Sequence, residues 1–199
     1  MKKRMWSYMG LSLITGVIAI VAAPNHNAFA GTVKVKGSYA ETFASVNFSY
    51  DGVSPATLGT HAGIDNIGGP FTGQLLAEYS FTGGACRAPD GTQGLSFVLV
   101  QAAQADNYLQ GQLYAVGTGA ADGRGCASTT TGSVGEMLTL AIVGGTGKFA
   151  NASGSIKLTF TAEVLAAGQA FPAGSFGIFG DTHVTKTGSV TCQNCNSND

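Results

Sequence analysis

The sequence predicts an all-β fold, a closed antiparallel β-barrel of about eight strands, and three observations carry that reading. Apolar residues recur at every second position through much of the chain, as in strands with one buried face. Clusters of Gly, Asp, Asn and Pro separate these runs at short intervals, as turns between consecutive antiparallel strands require. Composition agrees: of 199 residues, 30 are glycine, and 11% are charged against 44% hydrophobic. An average soluble domain carries roughly 25% charged residues and ~7% glycine. This chain is therefore too apolar to be disordered. Its 10 Lys and Arg against 11 Asp and Glu leave no basic footprint for nucleic acid.

The N-terminus reads as an address. Lys2, Lys3 and Arg4 precede an apolar run from Met9 to Ala23, and Ala28-Phe29-Ala30 closes the segment. These are the parts of a Sec-type signal peptide cut after Ala30, and the run is shorter than the ~20 residues that span a bilayer. The expected division is a signal peptide over 1–30 and one domain over 31–199. The expected location is secreted or periplasmic, where the four cysteines can persist as disulfides. Cleavage lowers Lys plus Arg from 10 to 7 against 11 Asp plus Glu, a net charge of −4. That mild acidity argues against anionic lipid as a partner once the leader is gone.

The first strand region, 32–50, is long enough to bend or break near Gly37. Leu75, Ala77, Tyr79 and Phe81 then alternate with Leu76, Glu78 and Ser80. Leu95, Phe97 and Leu99 alternate with Ser96, Val98 and Val100, and further runs lie near 107–117 and 135–143. Ile156, Leu158, Phe160 and Ala162 against Lys157, Thr159, Thr161 and Glu163 make the cleanest two-faced strand, before a last run at 174–191. Turn residues stand at Asp51-Gly52, Gly68-Gly69-Pro70, Gly83-Gly84, Pro89-Asp90-Gly91, Asp106-Asn107, Asp122-Gly123 and Gly144-Gly145. Seven or eight strands with short links form a meander, and closing it into a barrel removes exposed edges. A two-sheet sandwich is the alternative. Val98 to Val100 and Met137 to Ile142 are apolar on both faces, so the outer face wants a cover, either the N-terminal segment or a neighbouring subunit of a homodimer or homotrimer.

If the more apolar face of each strand is the inner one, Tyr79, Phe97, Tyr114 and Phe160 are candidate cavity-lining residues, although such aromatics also simply fill small barrels. The same rule turns Glu78 and Glu163 outward and brings no ionisable side chain inside, so no carboxylates converge for acid–base work. His61, after Gly59-Thr60, is placed in a loop. Asp181 and His183 share one face of the last strand, where a carboxylate can orient an imidazole. An exposed polar strand end is the plainer reading there. The two histidines after the leader and one C-x-x-C at Cys192–Cys195 fall short of a zinc site, and no metal is expected. Strand-end parity places a loop at 83–93 with Cys86 and a loop at 119–133 with Cys126 at one barrel end, which predicts Cys86–Cys126 and Cys192–Cys195. Asn47-Phe48-Ser49 and Asn151-Ala152-Ser153 are sequons, relevant only in a eukaryotic secretory path.

The most distinctive segment runs from Ala141 to Gly154. Gly145-x-Gly147-x-x-Ala150 fits a dinucleotide fingerprint, but that motif must open a helix in a βαβ unit, and here a Thr-rich strand follows. Gly147-Lys148 precedes Phe149 instead of the Ser or Thr of a P-loop. No cofactor is expected. The stretch Ile142-Val-Gly-Gly-Thr-Gly-Lys-Phe-Ala-Asn-Ala-Ser-Gly154 instead resembles the hallmark of the dirigent and allene oxide cyclase barrel families: an apolar strand, Gly-Gly-Thr/Ser-Gly-x-Phe, then Ala-x-Gly entering the next strand. Gly144, Gly145 and Gly147 permit a tight corner, Phe149 can fold back to plug the barrel end, and Gly154 enters the following strand. The likeness extends loosely over 94–164. It implies a barrel of about eight strands with a lipocalin-like interior, often trimeric, and a cofactor-free activity, either cyclising an unsaturated epoxide or steering phenoxy-radical coupling. The polar pocket residues of those activities find no match here, so catalysis is not carried over. The expected function is a secreted barrel that binds a small hydrophobic or aromatic ligand without catalysis. The alternatives are a cofactor-independent isomerase or cyclase on a hydrophobic substrate, and a filled structural barrel that works by surface assembly.

Overall fold

The computed structural model describes residues 30–46, 54, 56–171, 175–193 and 195, and for 165–171 and 175–179 the backbone. The leader through Phe29, the Asn47 sequon, Asp51-Gly52 and the tail beyond Cys195 lie outside the described residues. Nine strands follow one another: β1 (Gly31–Val46), β2 (Ala56–Asp65), β3 (Gly69–Arg87), β4 (Gln93–Tyr108), β5 (Gly111–Thr118), β6 (Gly123–Ser128), β7 (Ser133–Gly145), β8 (Ser153–Phe171) and β9 (Ser175–Cys192). Every pairing is antiparallel, and β1 pairs with β9 from Gly31↔Cys192 to Ala44↔Phe179, which closes the sheet. β5 lies along the Gln101–Tyr108 half of β4 and β6 along its Gly94–Val98 half, and both also pair with β7. They occupy one position in the wall, so nine strands make a ring of eight. Each described strand thus has a paired neighbour on both sides along the ring, which removes open edges there.

Strand β1 runs unbroken through Gly37. Strand β2 escapes the apolar-face rule because its pattern is inverted: Leu58 and Ile64 are 36% and 58% exposed, while His61 and Asp65 are buried. His61 thus sits in mid-strand, not in a loop. Asp106-Asn107 and Gly83-Gly84 likewise fall inside β4 and β3, not in turns. Gly83, with φ of +72°, belongs to a bulge between Phe81 and Ala85.

The barrel end where β1 meets Cys192 is closed. A single 3-10 turn, Gly147–Phe149, links β7 to β8, and Phe149 is wholly buried with its ring 4.9 Å from that of Tyr108. Gly147 takes φ of +56°, and a Cβ there would stand 2.2 Å from the carbonyl of Gln110. The Ile142–Gly154 segment is therefore a corner between two strands. One side of the interior is purely apolar, packed by Leu138, Leu140, Ile156, Leu158 and Val184.

Cys86 is bonded to Cys126, with Cα atoms 6.0 Å apart, and Cys192 to Cys195, 5.2 Å apart. Both members of the first pair lie in strands, not loops. Cys86 faces Gly94 and Cys126 faces Ser96, so this bridge ties β3 to β6 across β4.

Candidate functional site

The interior chemistry begins with one extra residue. Leu99 pairs with Tyr79 and Gln101 with Glu78, so Val100 is bulged out of the β4 ladder. An inserted residue reverses which face each later side chain occupies. Phe97 and Leu99 point inward before the bulge; Ala102, Gln104, Asp106 and Tyr108 are the buried residues after it.

The inverted β2 strand and the re-phased β4 strand meet inside the barrel. His61 is the register partner of Glu41 on β1 and of Gly73 on β3. Its Nδ1 lies 3.2 Å from Glu41 Oε2 and its Nε2 2.9 Å from Asp106 Oδ1. Gly73 makes the second contact possible: a Cβ there would stand 2.3 Å from His61 Nε2. Asp106 Oδ1 also accepts from Gln104 Nε2 at 2.8 Å. On its other side, Lys186 Nζ of β9 donates to Asp106 Oδ2 at 2.7 Å, Asp65 Oδ2 at 2.8 Å and Tyr108 Oη at 2.8 Å. Tyr108 donates to Asp65 Oδ2 at 2.6 Å. Asp65 Oδ1 takes the backbone N–H groups of Ile67 and Gly68, both at 3.1 Å. Aromatic rings enclose the network, with Tyr39 stacked on His61 at 4.4 Å and Phe71 4.5 Å from Lys186 Nζ.

Burial alone would lower the His61 pKa, but hydrogen bonds to Asp106 and Glu41 overcome it and raise the pKa above the ordinary histidine value. Burial alone would raise Asp106; His61 and Lys186 overcome it and hold the carboxyl below its ordinary value. Both ring nitrogens of His61 face carboxylates, which suits the imidazolium. Three acids, Glu41, Asp65 and Asp106, thus face one imidazolium and one ammonium. Such charges tolerate an interior only when paired and hydrogen-bonded.

Above this network, toward the end where β1 finishes and β4 begins, lies a cavity of about 110 Å³. Phe43, Leu75, Phe81, Phe97, Val134 and Phe160 form much of its wall, with Glu41, Tyr79 and Glu136 among its polar members. Tyr79 Oη donates to Glu136 Oε2 at 3.0 Å. Glu136 Oε1 is shielded from solvent and has no hydrogen-bond partner among the described residues. Burial pushes the Glu136 carboxyl up to about 8, with a smaller push from Glu41, against the lowering effect of the Tyr79 hydroxyl. Burial and then Glu136 hold the Tyr79 hydroxyl well above its ordinary value. Glu41 belongs to both regions, lining the cavity and holding His61.

Of the four aromatic residues expected to line a cavity, Tyr79, Phe97 and Phe160 do so. Tyr114 does not: Leu113 and Ala115 hold the inner face of β5, and the Tyr114 hydroxyl bonds Gln112 instead. Glu163 is exposed. Glu78 stands on the outer face by alternation, as expected, and is nonetheless 1% exposed. Asp181 and His183 are exposed on the outer face of β9, and Asp181 Oδ1 accepts from Thr42 at 3.3 Å. The expectation of an interior without ionisable groups is overturned by Glu41, His61, Asp65, Asp106, Glu136 and Lys186. Two of these carried a legible signal. Glu136 stands in register with Leu138, Leu140 and Ile142, and Lys186 with Val184 and Val190, so each shares its strand's apolar face. Asp106 was hidden by the bulge, and His61 and Asp65 by the inverted strand.

Among the described residues, no cluster of three or more His, Cys, Asp or Glu is arranged to hold a metal ion, and no helix is long and apolar enough to cross a membrane. Comparison with protein-family models, curated proteins and solved structures found no match.

Proposed function

We propose that this protein is exported and binds a small hydrophobic or aromatic molecule in the mouth of its barrel. The observation that carries the reading is the cavity itself, with phenylalanine walls and a few convergent polar groups, the usual make-up of a small-molecule site. Its volume of about 110 Å³ is on the scale of engineered cavities that accept benzene, ~150 Å³, so a one-ring molecule or one end of a longer molecule suits it. A cavity of this kind counts against the filled-barrel alternative. The cationic start, apolar run and A-x-A ending of the leader, together with two disulfides, support export to an oxidising compartment. The strand–turn–strand corner at Ile142–Gly154 within a closed meander supports kinship with the allene oxide cyclase and dirigent barrels.

Ligand-observed NMR with toluene, cumene and acetophenone tests the pocket. Binding is expected for the chain lacking 1–30 and lost in Ala162→Trp, which fills the cavity. No binding of any probe at millimolar concentration, or binding that Ala162→Trp leaves intact, would refute the reading.

A specific observation favours a second reading, the cofactor-independent isomerase or cyclase. Glu136 keeps its proton near neutral pH, and the Glu41 carboxyl lines the same cavity, so two carboxyl groups in unlike surroundings face one ligand space. Proton transfer would appear as solvent deuterium entering the methyl group of bound acetophenone, and its absence would leave a binding protein.

A further inference from the structure

We propose that Glu136 selects ligands carrying a neutral hydrogen-bond acceptor, such as a ketone or ether oxygen beside an apolar body, and excludes carboxylates. The proposal rests on the pocket reading above and adds to it the chemical class of the ligand.

Its basis is the geometry of one carboxyl group. Oε2 already accepts from Tyr79 Oη, so in the acid form the proton belongs on Oε1. That oxygen is the one without a partner and is itself shielded, on a side chain that lines the cavity, so a ligand oxygen meets it once the carboxyl turns toward the cavity. A buried O–H with no acceptor loses the hydrogen bond it would make in water, at a cost of ~1–3 kcal/mol. A hydrocarbon leaves that loss in place; a ligand oxygen removes it. A site built to bond a polar group discriminates against analogues that lack it.

Charge points the same way. The groups that act on Glu136 are Tyr79 from β3, by its hydrogen bond, and Glu41 from β1, through charge, with the neutral Tyr39 hydroxyl of β1 near enough to feel the Glu136 charge. Its register partners are Gly125 on β6 and Phe160 on β8. None supplies a cation. The positive groups of the interior, His61 and Lys186, are engaged with Glu41, Asp65 and Asp106. A carboxylate ligand would enter an apolar space beside two carboxyl groups with nothing to neutralise it.

The experiment compares acetophenone, its near-isostere cumene, and benzoate by calorimetry or ligand-observed NMR at pH 6.5. Acetophenone is expected to bind roughly five- to tenfold more tightly than cumene, and benzoate to show no binding. Raising the pH through about 8 ionises Glu136 and erases the preference. Glu136→Gln keeps an N–H donor toward the cavity, so it retains the preference without the pH dependence; Glu136→Met loses the preference while still binding cumene. Equal binding of acetophenone and cumene by the wild-type chain overturns this proposal and leaves the pocket reading standing. Tighter binding of benzoate, or a preference that survives in Glu136→Met, also overturns it. Failure of all three probes overturns the pocket reading and this proposal together.

Discussion

Lys186 offers the sharpest test of the barrel's interior. It is 0% exposed, and its ammonium donates to Asp65, Asp106 and Tyr108 at 2.8, 2.7 and 2.8 Å. Lys186→Met preserves the length and most of the volume of the side chain while deleting the charge. Asp65 and Asp106 are then left in an apolar interior with only His61 as a cation, and the formal charge of the network falls from −1 to −2. Removing one partner of a buried ion pair typically costs ~3–5 kcal/mol, most of it the penalty on the charge left behind. The stranded acids regain neutrality by binding protons, so the deficit shrinks toward pH 4 and is largest near neutrality. Denaturant unfolding with disulfides intact, at pH 4.5 and pH 7, reads both quantities. Adding Asp65→Asn to Lys186→Met removes one stranded charge, and the double variant is expected to recover part of the loss at pH 7. A Lys186→Met variant within ~1 kcal/mol of wild type at both pH values would refute the assignment of Lys186 as the counter-charge of the interior.

Three further outcomes are expected. Glu136 has a folded-state pKa raised from 4.5 to about 8, so its contribution to stability is complete below its unfolded value and is lost as pH rises through about 8. Relative to wild type, Glu136→Gln should therefore gain on the order of 2–5 kcal/mol between pH 5 and pH 8.5, measured as the difference of two unfolding curves; a pH-independent difference would show that the carboxyl is not held neutral. Deleting Val100 makes the ladder regular, with Leu99 still opposite Tyr79, Gln101 opposite Glu78 and Ala102 opposite Ala77, so Gln104, Asp106 and Tyr108 keep the inner face and the chain should keep a cooperative thermal transition by circular dichroism. Inserting one further residue beside Val100 turns them outward and should abolish that transition; the opposite pair of results would mean that the bulge does not set the phase of β4. The bridge between Cys86 and Cys126 spans 40 residues, and replacing both by serine should cost ~3–4 kcal/mol in the chain-entropy description, read from urea midpoints; an unchanged midpoint would show that β3 and β6 are held by pairing alone.

The legible and illegible parts of this fold divide along one physical line. Strands β3 and β8 were readable because their apolar faces pack the interior, as hydrophobic burial dictates: Leu75, Ala77 and Tyr79 on one, Ile156, Leu158 and Phe160 on the other. Strand β2 was not, because its interior residues are polar and its apolar residues, Leu58 and Ile64, lie on the outside. A rule that sends the oilier face inward must misplace such a strand, and with it His61 and Asp65. The same rule failed on Tyr114, whose neighbours Leu113 and Ala115 hold the inner face of β5.

The amino-acid sequence alone determined the class of architecture, the antiparallel order, the corner at Gly144–Phe149 and the pairing of the cysteines, because period-two burial and turn chemistry are local. Tertiary structure alone decided which ionisable groups share the interior. His61 finds Glu41 and Asp106 only once β1, β2, β3 and β4 are laid side by side, with Gly73 leaving space between them. One bulged residue, Val100, decides that Asp106 faces that space and not the solvent. Buried charge is stable only where partners from distant strands converge, and that convergence comes with closure of the barrel.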